Sequence, residues 1–347
     1  MSSFISSYSI STALRQSVLT AQSNLAQAQQ EVSTGTYADV GVALGAQTSQ
    51  DISLRSQESL LQTLATTNNL TATSLSTTQS VLSSLQTTAK SLLETVVGSG
   101  SQDGVSTSLQ QQAQSALQSL ISGLNTTEGG NYLFAGTNTS VAPITDYYST
   151  GAANKSAVDS AFSSYFGFSQ TSSSVANITA SQMQSFLDTQ FAPLFQGSNW
   201  TSNWSSASDT TTSSEISPSL TVSTSVSANQ SAFQDLAQAY TMLADLGTEN
   251  LSSSALQTLE TNAENLLNSG ISGLTNIQTS VGSVQDDITS ANSQMSVQMS
   301  VLSTQIGNLE NVNTYEASTE VTNLQTQIET AYSLTSQLTQ LSLVKYL

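Results

Sequence analysis

Side chains able to do chemistry are sparse in this chain, and their spacing limits what each could do. Asp286 stands beside Asp287, and Glu316 and Glu320 fall one helical turn apart, so either pair could be drawn as the acid and base of a hydrolytic site. Neighbouring acids on a polar helix ordinarily form a solvated face, however, and no base or ligand set stands near them. Gly98, Gly100 and Gly104 suggest a phosphate-cradling loop. The third glycine comes one place late for the dinucleotide pattern and no lysine follows for a P-loop, so the stretch reads as a turn between helices. The sequence contains no histidine and no cysteine. That removes the commonest general base, the thiolate nucleophile, the usual zinc ligands and every disulfide. The expectation is a chain that is not an enzyme, with no catalytic, cofactor-binding or metal-binding residues.

Charge narrows the partners. Lys and Arg number 5 against 23 Asp and Glu, a formal charge of -18, so nucleic acid and anionic membrane surfaces would repel the chain. Only 8% of the 347 residues are charged, and polarity comes from Ser, Thr, Gln and Asn instead. No basic segment followed by an apolar one opens the sequence, and no apolar run approaches the roughly 20 residues that cross a bilayer. The expectation is no membrane insertion, and either a cytoplasmic protein or export without a cleaved signal peptide.

What remains is helical pattern. Leu14, Val18, Ala21, Leu25, Ala28 and Val32 alternate steps of four and three, the repeat that keeps one stripe against a partner helix. Thr34 and Gly35 end that segment. From Ala46 to Val97 there is neither Gly nor Pro. There Leu54, Leu61, Leu75, Leu82, Ala89 and Val96 share one heptad register, which Asn68 interrupts in the way that fixes alignment at some cost in stability. A helix is predicted over 105–124, with Leu109, Ala113, Ala116, Leu120 and Leu124 on one face. Phe233, Leu236, Tyr240 and Leu243 mark another. A long stripe then passes through Leu274, Ile277, Val281, Val284, Ile288, Ala291, Met295, Gln298, Leu302, Gln305 and Leu309. The last stretch carries Ala317, Val321, Leu324, Ile328, Ala331, Thr335, Leu338 and Leu341.

All three prolines, both tryptophans and seven of the nine phenylalanines (Phe134 to Phe195) lie in the middle of the chain, which marks a region packed differently from its flanks. The predicted fold is therefore mainly α, an elongated rod of long antiparallel coiled-coil helices formed by the two flanks, with a smaller, partly β middle domain. The expected boundaries are a terminal helix and loop at 1–45, an outgoing helical segment at 46–130, an α/β or β-rich middle at 131–228, a returning segment at 229–311 and a terminal helix at 312–347. Leu14, Val18, Leu25, Val32, Val321, Leu324, Ile328, Leu338 and Leu341 are the candidate assembly residues. Their seams either pair within one chain or take on neighbouring copies. Apolar residues off the stripe, such as Val344 and Leu347, favour neighbours.

Four runs carry a family resemblance. Glu31-Val32-Ser33-Thr34-Gly35 resembles the end of the first helix in flagellins and hook-associated proteins, although Thr36 and the Ala38-to-Gly45 segment depart from the family's usual continuation. Gly130-Asn131-Tyr132-Leu133-Phe134-Ala135-Gly136-Thr137 looks like a segment typical of the hook-associated branch. Thr322 to Gln327 and the closing Gln340 to Leu347 are similar to the family's terminal helix. The resemblance implies a structural protein of the bacterial flagellum, exported by the flagellar type III apparatus and built into a homo-oligomeric ring at the hook-filament junction. It also implies a hook-side junction protein, flagellin and an export chaperone as partners. A filament subunit is the alternative, and a secreted helical adhesin or effector a more distant one.

Overall fold

The computed structural model describes the backbone of residues 7–99 and 105–344, with side-chain surroundings over 9–98 and 107–337. Helix accounts for 75% of the structure, so the fold is mainly α with a partly β middle. The chain divides into two compact units. One comprises residues 1–63 with 295–347, the other residues 64–294.

In the first unit, α1 (Ser7–Thr34) ends where Gly35 adopts φ +76. Its N–H donates to the Glu31 carbonyl at 2.8 Å, a left-handed cap that satisfies one of the helix's last carbonyls. A short α2 (Val40–Leu44) follows, capped by Asp39, whose side chain accepts from the Val42 N–H. The segment that departs from the family's usual sequence is thus a small capped helix, closed by Gly45 at φ +52. The first turns of α3 (Thr48–Ser99), the last turns of α9 (Ser253–Glu310) and α10 (Thr314–Val344) complete this unit.

The second unit is built around α8 (Ser231–Asp245), in which Phe233, Leu236, Ala237, Ala239, Tyr240, Met242 and Leu243 are all at most 1% exposed. A helix buried over most of its circumference has to be wrapped, and α4 (Val105–Leu124) packs along it. α9 crosses so closely that a Cβ on Gly270 would lie 2.7 Å from Leu236 Cδ2, and one on Gly273 2.7 Å from Ala232 Cβ. Glycine is required there by proximity. On α3 the heptad positions Leu75, Leu82, Ala89 and Val96 are buried as expected. Asn68 is fully buried too, and its Nδ2 donates to the Ile216 carbonyl and to Asn292 Oδ1, each at 2.8 Å. The polar interruption therefore pins α3 to α9 and to a hairpin strand.

Strand is scarce. β1 (Thr127–Glu128) and β2 (Asn131–Tyr132) form a hairpin closed by Gly129 and Gly130, both at positive φ as a two-residue hairpin turn demands. β3 (Ser213–Ser217) and β4 (Leu220–Ser223) pair antiparallel with an irregularity between Glu215 and Ser217. Residues 131–228, expected to be α/β or rich in strand, hold β3 and β4 beside α5 (Ala153–Phe166), α6 (Ala180–Phe186) and α7 (Gly197–Asn203), and most of the aromatic residues there lie on these helices and on the turns and loops between them. Their rings pack closely: Phe186 lies edge-on to Phe162 at 5.5 Å and tilted against Phe166 at 5.2 Å and Phe191 at 6.0 Å, while Trp200 stacks on Trp204 at 5.6 Å. Aromatic clustering signals close packing, which helices achieve here as readily as strands.

Candidate assembly interface

The two terminal helices run antiparallel in the first unit. Gln22 Nε2 donates to the Tyr332 hydroxyl at 2.9 Å near one end of the pair. At the other end Thr36 bridges Asn311, with Tyr37 N–H donating to the Glu310 carbonyl and Val312 N–H to the Gly35 carbonyl, each at 2.9 Å. These two bonds form a small backbone clasp joining the end of α1 to the start of α10. Between the ends, Ala21, Ala28, Leu324 and Ile328 make a narrow buried cluster flanked by Leu25 and Val321. Alanine on one side and branched side chains on the other let the helices approach closely, the arrangement that an a/d seam produces.

Each candidate assembly residue can now be placed. Val18, Leu324 and Ile328 are buried, Leu14, Leu25 and Val321 half-buried, and Val32 is 37% exposed. Leu338 and Leu341 belong to α10, but their side chains, like those of Val344 and Leu347, lie outside the described residues. The stripe on α1 is thus largely covered by α10 of the same chain. Besides Val32, the apolar surface that the pair leaves to solvent includes residues off the seam: Leu19 is 55% exposed, Tyr332 54% and Leu334 47%. Tyr315, in the first turn of α10, is 81% exposed. Apolar surface concentrated on one helix pair is what a neighbouring subunit could cover.

Beneath the clasp lies a charge cluster that sequence reading missed. Arg55 of α3 donates from Nε to Glu310 Oε1 at 2.7 Å and from Nη2 to both Glu310 oxygens, while Asp51 Oδ2 lies 3.5 Å from Nε. Burial, and after it the adjacent Glu310, raise the Asp51 pKa, against the lowering pull of Arg55. The available signal was an i,i+4 Asp-Arg pair in a chain with only 5 basic residues. Asp286, Asp287, Glu316 and Glu320 are all exposed on helices.

The Gly130-to-Thr137 run has a clear structural task in the second unit. Phe134 is fully buried with its ring edge-on to Phe233 at 5.9 Å. Its carbonyl accepts from the Ala228 N–H at 2.7 Å, the Ala135 carbonyl accepts from Ser208 N–H at 3.0 Å, and Thr137 N–H donates to the Thr210 carbonyl at 2.9 Å. Gly136 sits at φ +61, where a Cβ would lie 2.4 Å from the Ser208 carbonyl oxygen and 2.6 Å from that of Thr210. The run therefore ties the chain's entry into the middle segment to the stretch by which it leaves, and only glycine fits its tightest point.

The family model described as the bacterial flagellin N-terminal helical region matches residues 5–139, and the one described as the bacterial flagellin C-terminal helical region matches residues 264–347. Together they span well over half of the chain. It belongs to the flagellin family. The two matched regions of this flagellin-family chain contain the terminal pair, the clasp and the Gly130-to-Thr137 run. No curated protein matches it. Among solved structures, a Vibrio parahaemolyticus protein described as a flagellar hook-associated protein has the same fold, with a TM-score of 0.54 and 13% identity over 76% of this chain and 97% of that one. Flagellin-family proteins are structural and polymerise in the flagellum with other flagellar proteins, and this chain is a structural protein of that kind.

Proposed function

We propose that this chain is a hook-associated protein of the filament-side junction type (FlgL), assembling into a ring between hook and filament. The observation that carries the reading is the Gly130-to-Thr137 run, whose sequence resembles the hook-associated branch and whose glycine is held where no side chain fits. In this reading segments 1–45 and 312–347 supply the assembly surface, 46–130 and 229–311 support them, and 131–228 faces outward. Leu14, Val18, Leu25, Val32, Val321, Leu324, Ile328, Leu338 and Leu341 act by building the α1–α10 pair as one piece, which neighbouring subunits then cover. The partners are further copies of the chain, a hook-side junction protein, flagellin and an export chaperone that holds the C-terminal helix before assembly. The protein works outside the cell, after export by the flagellar apparatus.

The filament subunit is the second reading, supported by the two flagellin regions matched at the ends. Abundance separates the two, since a junction protein is scarce in purified filaments and a filament subunit dominates them. The decisive variant is Leu324→Asp with Ile328→Asp, which puts two charges into the buried seam. Cells carrying it should build hooks and release filaments into the medium, as seen by electron microscopy. Normal filament attachment by that double variant would remove the proposal.

A further inference from the structure

The clasp between α1 and α10 rests on a charge mismatch. Asp51 and Glu310 are 4% and 5% exposed, yet one guanidinium serves both carboxyls. Asp51 Oδ1 is buried with no hydrogen-bond partner. The Arg55 side chain is 53% exposed, so water screens the guanidinium. Two ionised carboxylates on it would still leave a surplus negative charge on side chains that water barely reaches and an acceptor with no donor, both unfavourable. A proton on Asp51 removes both costs, because it cancels the surplus charge and supplies a donor for the adjacent Glu310 carboxylate.

The surrounding groups do not offer another way out. On α3, Glu58 lies near Arg55 and adds negative charge. From α1, Glu31 Oε1 accepts from the Ala38 N–H at 3.1 Å. Asp39 caps α2, and Tyr37 and Glu316 are exposed. Apart from Arg55 these neighbours are acidic or neutral. The backbone carbonyl of Glu310 accepts the Tyr37 N–H, so Glu310 belongs both to the charge cluster and, through that bond, to the clasp.

We propose that this cluster is a proton-dependent latch: Asp51 keeps a proton while the clasp is closed, and loss of that proton loosens the seating of α1 and α10. The inference does not depend on which flagellar structure the chain builds. The Asp51 carboxyl titrates above its ordinary range because of burial first and Glu310 second. A group whose folded pKa is raised contributes its full stability at acid pH and loses it as pH climbs through the folded value. The clasp should accordingly hold best in mild acid and weaken as pH rises from the ordinary carboxylate range toward neutrality.

The test is amide hydrogen exchange on the full chain over that pH interval, corrected for the intrinsic pH dependence of exchange and read at the Tyr37 and Val312 amides. Protection in the unsubstituted protein should fall by up to about tenfold per pH unit while the proton leaves, the limit for a single bound proton. Asp51→Asn should keep those amides protected and flat across the interval. A flat profile in the unsubstituted protein, or a clasp as open in Asp51→Asn as in Arg55→Ala, overturns the proposal. If Asp51→Asn fails to fold, Glu310→Gln leaves Arg55 to Asp51 alone and predicts the same flat profile. A pH-dependent clasp in that variant overturns it equally.

Discussion

The terminal pair and the middle segment bury their apolar residues in opposite ways. Between α1 and α10 the buried cluster consists of Ala21, Ala28, Leu324 and Ile328. The second unit holds Phe134, Phe162, Phe186, Phe191, Phe195, Phe233 and both tryptophans at no more than 1% exposure. A buried aromatic removes about 150–250 Å² from water, several times what an alanine can. The lesson is that the two regions differ in how much apolar surface holds each of them together. The second unit can hold itself together, whereas the terminal pair is built thinly enough for its stability to depend on what covers it.

The strongest way to break this contrast is Phe186→Ala. Phe186 touches the rings of Phe162, Tyr165, Phe166 and Phe191, so truncation leaves a cavity that fixed neighbours cannot fill, at a cost of about 3–5 kcal/mol. Calorimetry should show the main unfolding transition moved down by many degrees, with the Tyr37 and Val312 amides as protected as before. A variant that lost clasp protection in step with the main transition would show the two units to be one cooperative structure. Asn68→Ala is the next test. It removes the donors to the Ile216 carbonyl and to Asn292, leaving a buried acceptor unpaired at about 1–3 kcal/mol. Exchange at the β3–β4 hairpin should rise more than exchange in α8, because the lost bond holds the hairpin strand directly.

Much of the helical framework was legible in residue spacing, because burial follows the helical repeat wherever one face meets one partner. The helix over 105–124 lies where its pattern predicts, and Leu109, Ala113, Ala116, Leu120 and Leu124 are all buried. The long stripe holds as far as Met295. Beyond it Gln305 is exposed, while Ile306 and Glu310 are buried. A helix with 3.6 residues per turn drifts from a strict seven-residue repeat, so the covered face slides onto neighbouring positions and leaves Val297 and Val301 in solvent. Tertiary juxtapositions were not legible. Nothing local announces that Arg55 meets Glu310, which lies 255 positions away, or that Gly136 is hemmed in by carbonyls of residues 208 and 210. Candidate assembly residues could be found by their stripe, but the stripe does not tell whether the covering helix belongs to the same chain.

Leu324→Ala sharpens the comparison with the smallest expected effect. Leu324 is 5% exposed, as a core leucine would be, but its buried neighbours Ala21 and Ala28 are short and only one helix covers it. The pair can close part of the gap by moving together, so the cost should be about 1–2 kcal/mol, below that of truncating a fully enclosed leucine. That loss should appear as faster exchange in the middle of α1 and α10, with the calorimetric transition of the second unit unmoved. Packed filaments or rings should recover most of the protection, since a covering subunit restores burial that the shortened side chain gave up. If instead the substitution lowers the main transition by as much as Phe186→Ala, the seam is part of the protein's core, and the contrast between the two regions does not hold.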